Sequence, residues 1–170
     1  MELMNHTFEP VYDGNSRVLI LGTFPSVKSR ENRFYYGHPQ NRFWKVTAAL
    51  TDSPLPTTIE QKKAMLLAGG IAIWDVIASC RIVGSSDSSI RDVTVNDIGG
   101  LLEKTDVEAV FCNGDKAFRL YERYCFPVCR KEALKLPSTS PANAAWSLDR
   151  LIQNWRAAIG PWLETIDRGK

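Results

Sequence analysis

Cysteine and histidine are scarce in this sequence, whose 170 residues include four cysteines and two histidines. Only Cys125 and Cys129 lie close together, as C-x3-C, whereas structural zinc sites use paired short cysteine spacings. The sequence therefore predicts no metal site. Free thiols in a reducing cytoplasm are the expectation for cysteines spaced in this way.

Long apolar runs and a charge excess are absent as well. No segment approaches the ~20 apolar residues that span a bilayer, and the first ten residues carry Glu2, His6 and Glu9 in place of a signal peptide's apolar core. The net charge is only +2, so charge alone does not predict nucleic-acid binding. The basic segment from Lys116 to Lys135 fits either such binding or a solvated helix face. The length fits one domain, residues 1–170.

Several common catalytic fingerprints are missing from the chain. It has no G-x-x-x-x-G-K-[ST] for a P-loop, no G-x-G-x-x-G for a dinucleotide and no G-x-S-x-G for a serine hydrolase. The paired carboxylates of sugar hydrolases cannot be identified either, although Asp75 and Asp115 lie near predicted strand ends.

What the chain does contain is an alternation of strand and helix patterns. Buried strands are predicted at residues 17–22, 71–77 and 108–114, with a short fourth run leading into Leu136. Helices are predicted at 41–50, 58–69 (opened by a Thr58–Gln61 capping box), 96–104 (capped by Asn96), 115–124 and 148–162. Residues 84–92 are predicted to form a polar loop. This alternation predicts an α/β fold whose parallel sheet is covered by helices on both faces.

Ligands of such sheets bind beyond the carboxyl ends of the strands. The segments expected there are GTFPSVKSR, WDV, CNG and LPSTSP, and the first continues into FYYGHPQNRFWK, residues 34–45. Hydroxyl groups and free N–H groups suit a phosphate, and aromatic rings offer stacking faces to a base. The sequence therefore predicts one crevice for a flat polar ligand.

Three motifs carry a family resemblance: LILGTFPSVKSR…FYYGHPQNRFWKV, GIAIWDVIASCRIVGSSDSSI and LPSTSPANA. From about Phe8 to Trp162 the chain resembles the uracil-DNA glycosylase superfamily, and within it the hypoxanthine-DNA glycosylase branch, family 6. HPQNRFWKV is also similar to a segment of the mismatch-specific uracil/thymine branch. The resemblance implies a three-layer α/β/α domain with a central four-stranded parallel sheet, no cofactor or metal, and DNA containing deaminated bases as the partner of a cytoplasmic monomer.

The resemblance also implies a catalytic residue. Many relatives carry a water-activating Asp or Asn where this chain has Phe24, which cannot orient water, and the hypoxanthine branch shares that departure. The catalytic amide is then expected at Asn41, which would hold the water through its carbonyl, with Gln40 as the neighbouring alternative. Asn41 could equally serve only as a helix N-cap.

Five residues are expected to bind the extruded base. Tyr36 matches the stacking aromatic of the superfamily, and Phe24 could form another wall. His38 could donate to the base or to a phosphate, although a structural role is open to it. Asp75, which can only accept hydrogen bonds, would receive N1–H of hypoxanthine or N3–H of uracil; its alternative is a helix N-cap. Asn113 could add a contact or mark a turn.

Two polar loops are expected to grip the DNA backbone. Their residues are Ser26, Lys28, Ser29 and Arg30 after the first strand, and Ser138, Thr139 and Ser140 after the fourth. Either loop could instead be an ordinary polar turn. Many relatives have a histidine where Leu136 stands, and that histidine stabilises the leaving base. Leu136 cannot do so.

These motifs predict a monofunctional DNA glycosylase that excises hypoxanthine first and leaves an abasic site. A uracil-DNA glycosylase acting on G:U mismatches or single strands is the first alternative. The departures at Phe24 and Leu136 motivate a second, a catalytically silent nucleic-acid-binding module. A nucleotide-binding hydrolase unrelated to repair is a more distant one.

Overall fold

The protein is built around a four-stranded parallel sheet, seen in a computed structural model that describes residues 2–5, 9–82 and 91–168. The strands are β1 (Glu2–Asn5), β2 (Val18–Gly22), β3 (Ile71–Asp75), β4 (Ile77–Ile82), β5 (Arg91–Val95), β6 (Ala109–Asn113) and β7 (Ala133–Leu136). The helices are α1 (Val27–Asn32), α2 (Phe43–Leu50), α3 (Ile59–Ala68), α4 (Ile98–Glu103), α5 (Asp115–Leu120), α6 (Phe126–Cys129) and α7 (Leu148–Arg168).

The parallel sheet has the strand order β3-β2-β6-β7. Strands β2, β3 and β6 are apolar up to their last residue, because successive side chains point to opposite faces and both faces are covered. The edge strand β7 is covered only in part, with Leu134 and Lys135 exposed. On one face Ile20 and Phe111 pack with α2, α3 and α7; on the other Leu19 and Val110 pack with α4 and α5. The predicted three-layer α/β/α architecture is confirmed.

The register of the parallel strands brings their carboxyl ends, where the ligand site was expected, to the same edge of the sheet. Gly22 of β2 lies beside Asp75 of β3, and Asn113 of β6 lies beside Leu136 of β7. Hydrogen-bonded neighbours in a sheet end together, so the four following loops start from one edge.

A second sheet, antiparallel and ordered β1-β4-β5, was not predicted. The single strand expected over 71–77 is wrong, because the chain bends at Val76 and continues as β4 in this other sheet. The bend is held by the Val76 N–H, which donates to the Gly22 carbonyl at 2.8 Å. Most of the polar loop expected at 84–92 lies outside the described residues.

Helix starts were predicted with mixed success. The Thr58–Gln61 capping box opens α3 as expected. Asn96 does not cap α4; Asp97 does, by accepting from the Gly100 N–H. α1 lies in a segment expected to be a loop. The helix expected to end at Tyr124 runs on through a π-helical turn, Tyr121–Cys125, into α6.

In the described part of the chain, no helix combines the length and apolarity that crossing a membrane requires.

Candidate active site

A cavity of about 350 Å³ opens at the carboxyl edge of the parallel sheet. It is lined by Gly22, Thr23, Phe24, Pro25, Ser26, Lys28, Ser29, Tyr35, Tyr36, His38, Asn41, Asp75, Asn113, Ser138, Thr139, Ser140 and Pro141. Segments far apart in the sequence meet here. Of the residues predicted for the site, only Gln40 and Arg30 are missing from the lining.

The Asn41 side chain is held in one orientation. Its Oδ1 accepts from the N–H of Phe43, the first residue of α2, at 2.9 Å, and from the Thr139 hydroxyl at 2.8 Å. Both lone pairs of the oxygen are therefore used. Within the described chain Nδ2 has no hydrogen-bond partner. The helix N-cap alternative is wrong, because Arg42 is the N-cap residue of α2. The Asn41 amide instead bonds the first residue of the helix and leaves an N–H donor available to a ligand. The arrangement leaves no lone pair with which the carbonyl could hold water.

Thr139 links Asn41 to the third strand of the sheet. The Asn113 Nδ2 donates to Thr139 Oγ1 at 3.0 Å, and the Thr139 N–H donates to Asn113 Oδ1 at 3.1 Å. Thr139 is fully buried. Side-chain hydrogen bonds therefore connect Asn113 through the Thr139 hydroxyl to Asn41, and the Thr139 N–H bonds back to Asn113. Thr139 and Asn113 are thus positioning groups for the Asn41 amide.

Tyr36 forms one wall of the cavity. Its ring stacks on Phe43 with centroids 3.9 Å apart and planes 13° from parallel, and its backbone has a left-handed φ of 52°. Its hydroxyl is buried and has no partner in hydrogen-bond geometry within the described residues; the nearby Asn113 amide bonds Thr139. Burial, and secondly the charge of Asp75, raise the pKa of Tyr36 far above its usual range.

Asp75 lies at the floor of the cavity and is only 4% exposed. No helix follows it, so the N-cap alternative is wrong. The Asn96 Nδ2 donates to its backbone carbonyl at 2.8 Å. The neighbouring Gly22 makes room for its carboxylate, because a Cβ on Gly22 would lie 2.4 Å from Asp75 Oδ1. Asp75 therefore presents a buried acceptor to whatever enters the cavity.

Sequence comparison assigns this arrangement to a family. The profile of the uracil DNA glycosylase superfamily matches residues 9–159. The chain belongs to the uracil DNA glycosylase superfamily. Its membership confirms the resemblance drawn from the three motifs.

Individual relatives in the superfamily cover nearly the whole chain. Hypoxanthine DNA glycosylase of Methanosarcina acetivorans is 36% identical over 162 residues, which cover 92% of this chain and 99% of that protein. Hypoxanthine DNA glycosylase of Methanosarcina barkeri is 32% identical over 157 residues, or 89% and 96% of the two chains. A solution NMR structure from Methanosarcina acetivorans, described as a candidate uracil DNA glycosylase, matches with a TM-score of 0.76 and 35% identity, covering 88% of this chain and 92% of that one.

Besides Asn113 and Thr139, which bond each other and position Asn41, three further predicted site residues need revision. Gln40 is exposed and outside the cavity lining, so the structure does not support it as the alternative to Asn41. Ser29 is 1% exposed, and its hydroxyl accepts from the Gly37 N–H at 2.8 Å, which gives it a role in holding the loop rather than a phosphate. Arg30 lies over the Phe24 ring, 5.7 Å from its centroid, behind the cavity wall.

The other loop residues remain placed for contacts at the cavity. His38 Nδ1 accepts from the Gln40 N–H at 3.1 Å, so a neutral ring carries its proton on Nε2. Lys28 is exposed, with its ammonium 3.4 Å from Glu31. Ser26 caps α1 by accepting from the Ser29 N–H. The Ser138 hydroxyl accepts from the Ser140 N–H at 3.1 Å.

Arg42 was missed by the sequence analysis. Its guanidinium donates to the carbonyls of Ser140 at 2.9 Å, Asn143 at 3.0 Å and Trp146. It therefore fastens the start of α2 to the loop that carries Thr139. The only sequence signal was its place in NRFW, beside Asn41. Leu136, where the family resemblance led us to expect a histidine in many relatives, is 1% exposed and packs in the core.

Proposed function

We propose that this chain is a monofunctional DNA glycosylase that hydrolyses the N-glycosidic bond of deaminated bases, hypoxanthine first, and leaves an abasic site. The observation that carries the proposal is the single cavity in which an aromatic wall at Tyr36, a buried acceptor at Asp75 and a fixed amide at Asn41 face the same space. A base inside a duplex cannot reach such a cavity, so the nucleotide must be extruded from the stack.

Asp75 supports recognition of the extruded base. A carboxylate only accepts hydrogen bonds, so it suits N1–H of hypoxanthine or N3–H of uracil and opposes adenine, whose N1 is an acceptor. The acceptor is buried, and a buried polar group left unpaired by the wrong base costs about 1–3 kcal/mol. Phe24 supplies a face on which the ring can stack, and Tyr36 forms the neighbouring wall.

Asn41 supports the chemical step through its N–H donor. Breaking the glycosidic bond places negative charge on the departing base, and Leu136 cannot stabilise that charge. Because Asn41 Oδ1 already accepts two hydrogen bonds, the group left for the base is Nδ2. A donor held in place before reaction stabilises developing charge without reorganisation. The reaction is then largely dissociative, with water adding to the sugar after the base has begun to leave.

The DNA backbone is gripped, in this proposal, at the two rims of the cavity. Lys28, Ser26 and His38 lie at one rim, and Ser138 and Ser140 at the other. Lys28 is exposed and paired with Glu31, which supports hydrolysis alone rather than a coupled lyase step. We expect the protein to act as a single-domain monomer in the cytoplasm, in keeping with its four free cysteines.

The proposal is tested with duplexes containing inosine, uracil or xanthine, treated with alkali after incubation to cleave abasic sites. We expect single-turnover release fastest from inosine. Faster release from uracil would favour the first alternative, a uracil-DNA glycosylase. Salt-dependent duplex binding without any abasic product, at enzyme in excess over DNA, would favour the silent binding module.

A further inference from the structure

The Tyr36 hydroxyl is a buried polar group that the free protein leaves unsatisfied. It has no hydrogen-bond partner in the part of the chain that the structure describes, although the large majority of buried side-chain polar atoms in proteins have one. An unpaired buried donor is unfavourable for the free protein. Such a group is informative in a ligand cavity, because a ligand acceptor can satisfy it.

The hydroxyl lies beside the Asp75 carboxylate. A Cβ built on Gly22 would be 2.4 Å from Asp75 Oδ1 and 3.1 Å from Tyr36 Oη, so both oxygens converge on the same small space at the end of β2. Burial and the charge of Asp75 raise the pKa of Tyr36, so the hydroxyl keeps its proton. The floor of the cavity therefore offers a fixed donor next to a fixed acceptor.

That combination is complementary to what deamination changes in a base. In adenine and cytosine, an acceptor ring nitrogen stands beside a donor amino group. Deamination replaces the amino group with a carbonyl and places a hydrogen on the ring nitrogen, which yields N–H beside C=O. Hypoxanthine, xanthine and uracil all share this lactam edge.

We propose that Tyr36 Oη and Asp75 together read the lactam edge, with Tyr36 donating to the base carbonyl and Asp75 accepting from the adjacent N–H. Tyr36 is thereby a specificity-determining residue that meets the base at its edge, while its ring stacks on Phe43. The inference rests on the proposed function of the same cavity. Guanine also has a lactam edge, so its exclusion falls to its 2-amino group and not to this pair.

The test removes the donor from the protein and the acceptor from the substrate. Tyr36→Phe keeps the ring stacked on Phe43 and deletes only the hydroxyl. Single-turnover release is measured for both proteins on duplexes with 2′-deoxyinosine and with 2′-deoxy-6-thioinosine, whose sulfur is a weaker acceptor while N1–H is kept. We expect Tyr36→Phe to slow inosine cleavage about tenfold or more, and to slow thioinosine cleavage by a clearly smaller factor.

If Tyr36→Phe decreased the single-turnover rate by the same factor on inosine and on thioinosine, the inference would be overturned. A hydroxyl with a purely structural role does not distinguish oxygen from sulfur in the substrate. Hypoxanthine release by the unmodified protein tests the proposed function separately. The unmodified protein could release hypoxanthine while Tyr36→Phe slows cleavage of both substrates equally. The proposed glycosylase activity would then be supported, and only the role of the Tyr36 hydroxyl would be rejected.

Tyr35→Phe is the matched control. The Tyr35 hydroxyl is also mostly buried, but it donates to the Glu9 carbonyl at 2.9 Å. Loss of the Tyr35 hydroxyl should lower the urea midpoint of unfolding and decrease the rate of cleavage of both substrates by the same factor. Tyr36→Phe should leave that midpoint unchanged or raise it, since no partner is lost. A drop as large as that of Tyr35→Phe would show that the Tyr36 hydroxyl already has a structural partner, and would overturn the inference.

Discussion

The Thr139 hydroxyl donates a 2.8 Å hydrogen bond to Asn41 Oδ1, joining two residues that lie 98 positions apart in the chain. Asn113 donates in turn to Thr139. The Asn41 amide is thus oriented by the sheet and not only by its own helix. Because one rotation of the amide would exchange donor and acceptor, this bond decides which atom of Asn41 faces the ligand.

Thr139→Val should therefore weaken excision without altering the cavity's volume. The valine removes the hydroxyl, leaving Asn113 Nδ2 without its acceptor and Asn41 held by one bond. We expect a loss of about 1–3 kcal/mol in the free energy of unfolding and a decrease of about fivefold or more in the single-turnover rate. Thr47→Val is the control, because Thr47 is equally buried and donates only within α2; it should lower stability alone. Equal rates for the two variants would contradict the positioning role.

Asn41→Asp separates the hydrogen bond at the start of α2 from the chemical step. An aspartate keeps the acceptor for the Phe43 N–H and favours a helix N-terminus, but it replaces the N–H donor with an oxygen. We expect unchanged or higher thermal stability and a decrease of about 100-fold or more in base release, the usual cost of losing one such donor. Asn41→Ala should lose both activity and about 0.5–2 kcal/mol of stability. An aspartate variant with full activity would rule out the donor role.

Gly22→Ala should displace the Asp75 carboxylate, to which we assign recognition of the base. The new Cβ would lie 2.4 Å from Asp75 Oδ1 and cannot be accommodated without movement. We expect at least about a tenfold loss of inosine cleavage and about 1–3 kcal/mol of destabilisation from overpacking. Gly14→Ala is the control, because nothing lies within 4 Å of its Cβ position; its kinetics should match those of the unmodified protein. Inosine kinetics unaffected by Gly22→Ala would place the functional acceptor elsewhere.

Arg42→Lys should loosen the loop that carries Thr139. A lysine keeps the charge but lacks the planar fork that reaches three carbonyls. A cost of about 2 kcal/mol corresponds to a decrease of about 4–8 °C in melting temperature for a chain of this size. Arg150→Lys, at an exposed arginine stacked on Trp146, should change the melting temperature little. Similar melting temperatures for both variants would contradict the fastening role of Arg42.

Stability should fall as the pH rises above about 9. Burial raises the pKa of Cys125 from an ordinary value near 9 to about 12, and burial likewise raises the pKa of Cys112. The folded state therefore keeps protons that the unfolded state has lost, so the free energy of unfolding decreases with pH in that window. The urea midpoint measured at pH 8 and pH 10 checks this, and Cys125→Ala should flatten the slope. A midpoint that rises with pH would contradict it.

Much of the sheet follows from local sequence. β2 and β6 are apolar runs ended by or followed by glycine, because both of their faces are buried, and the alternation with helices fixes a parallel arrangement. From that arrangement alone, Asp75 and Asn113 can be expected at one edge. The capping box at Thr58 is equally local, since its two partners are three residues apart.

The missed features depend on long-range contacts. The apolar run from Ile71 to Ile77 contains no glycine or proline, so nothing local marks the bend at Val76, which is set by a bond to β2. Neither the Thr139–Asn41 bond nor the contacts of Arg42 with residues about a hundred positions away have a spacing that a sequence pattern can detect. The orientation of the Asn41 amide was unpredictable for the same reason.

The packing of Leu136 limits how this enzyme could change over time. The side chain lies in the same apolar core as Trp155, and Trp155 in turn donates to the Pro137 carbonyl at 2.9 Å. A histidine introduced there by one mutation would place an imidazole among hydrocarbon with little access to the ligand. A histidine at this position could therefore take part in the reaction only if the surrounding core were repacked, so selection for faster catalysis should first yield substitutions around Asn41.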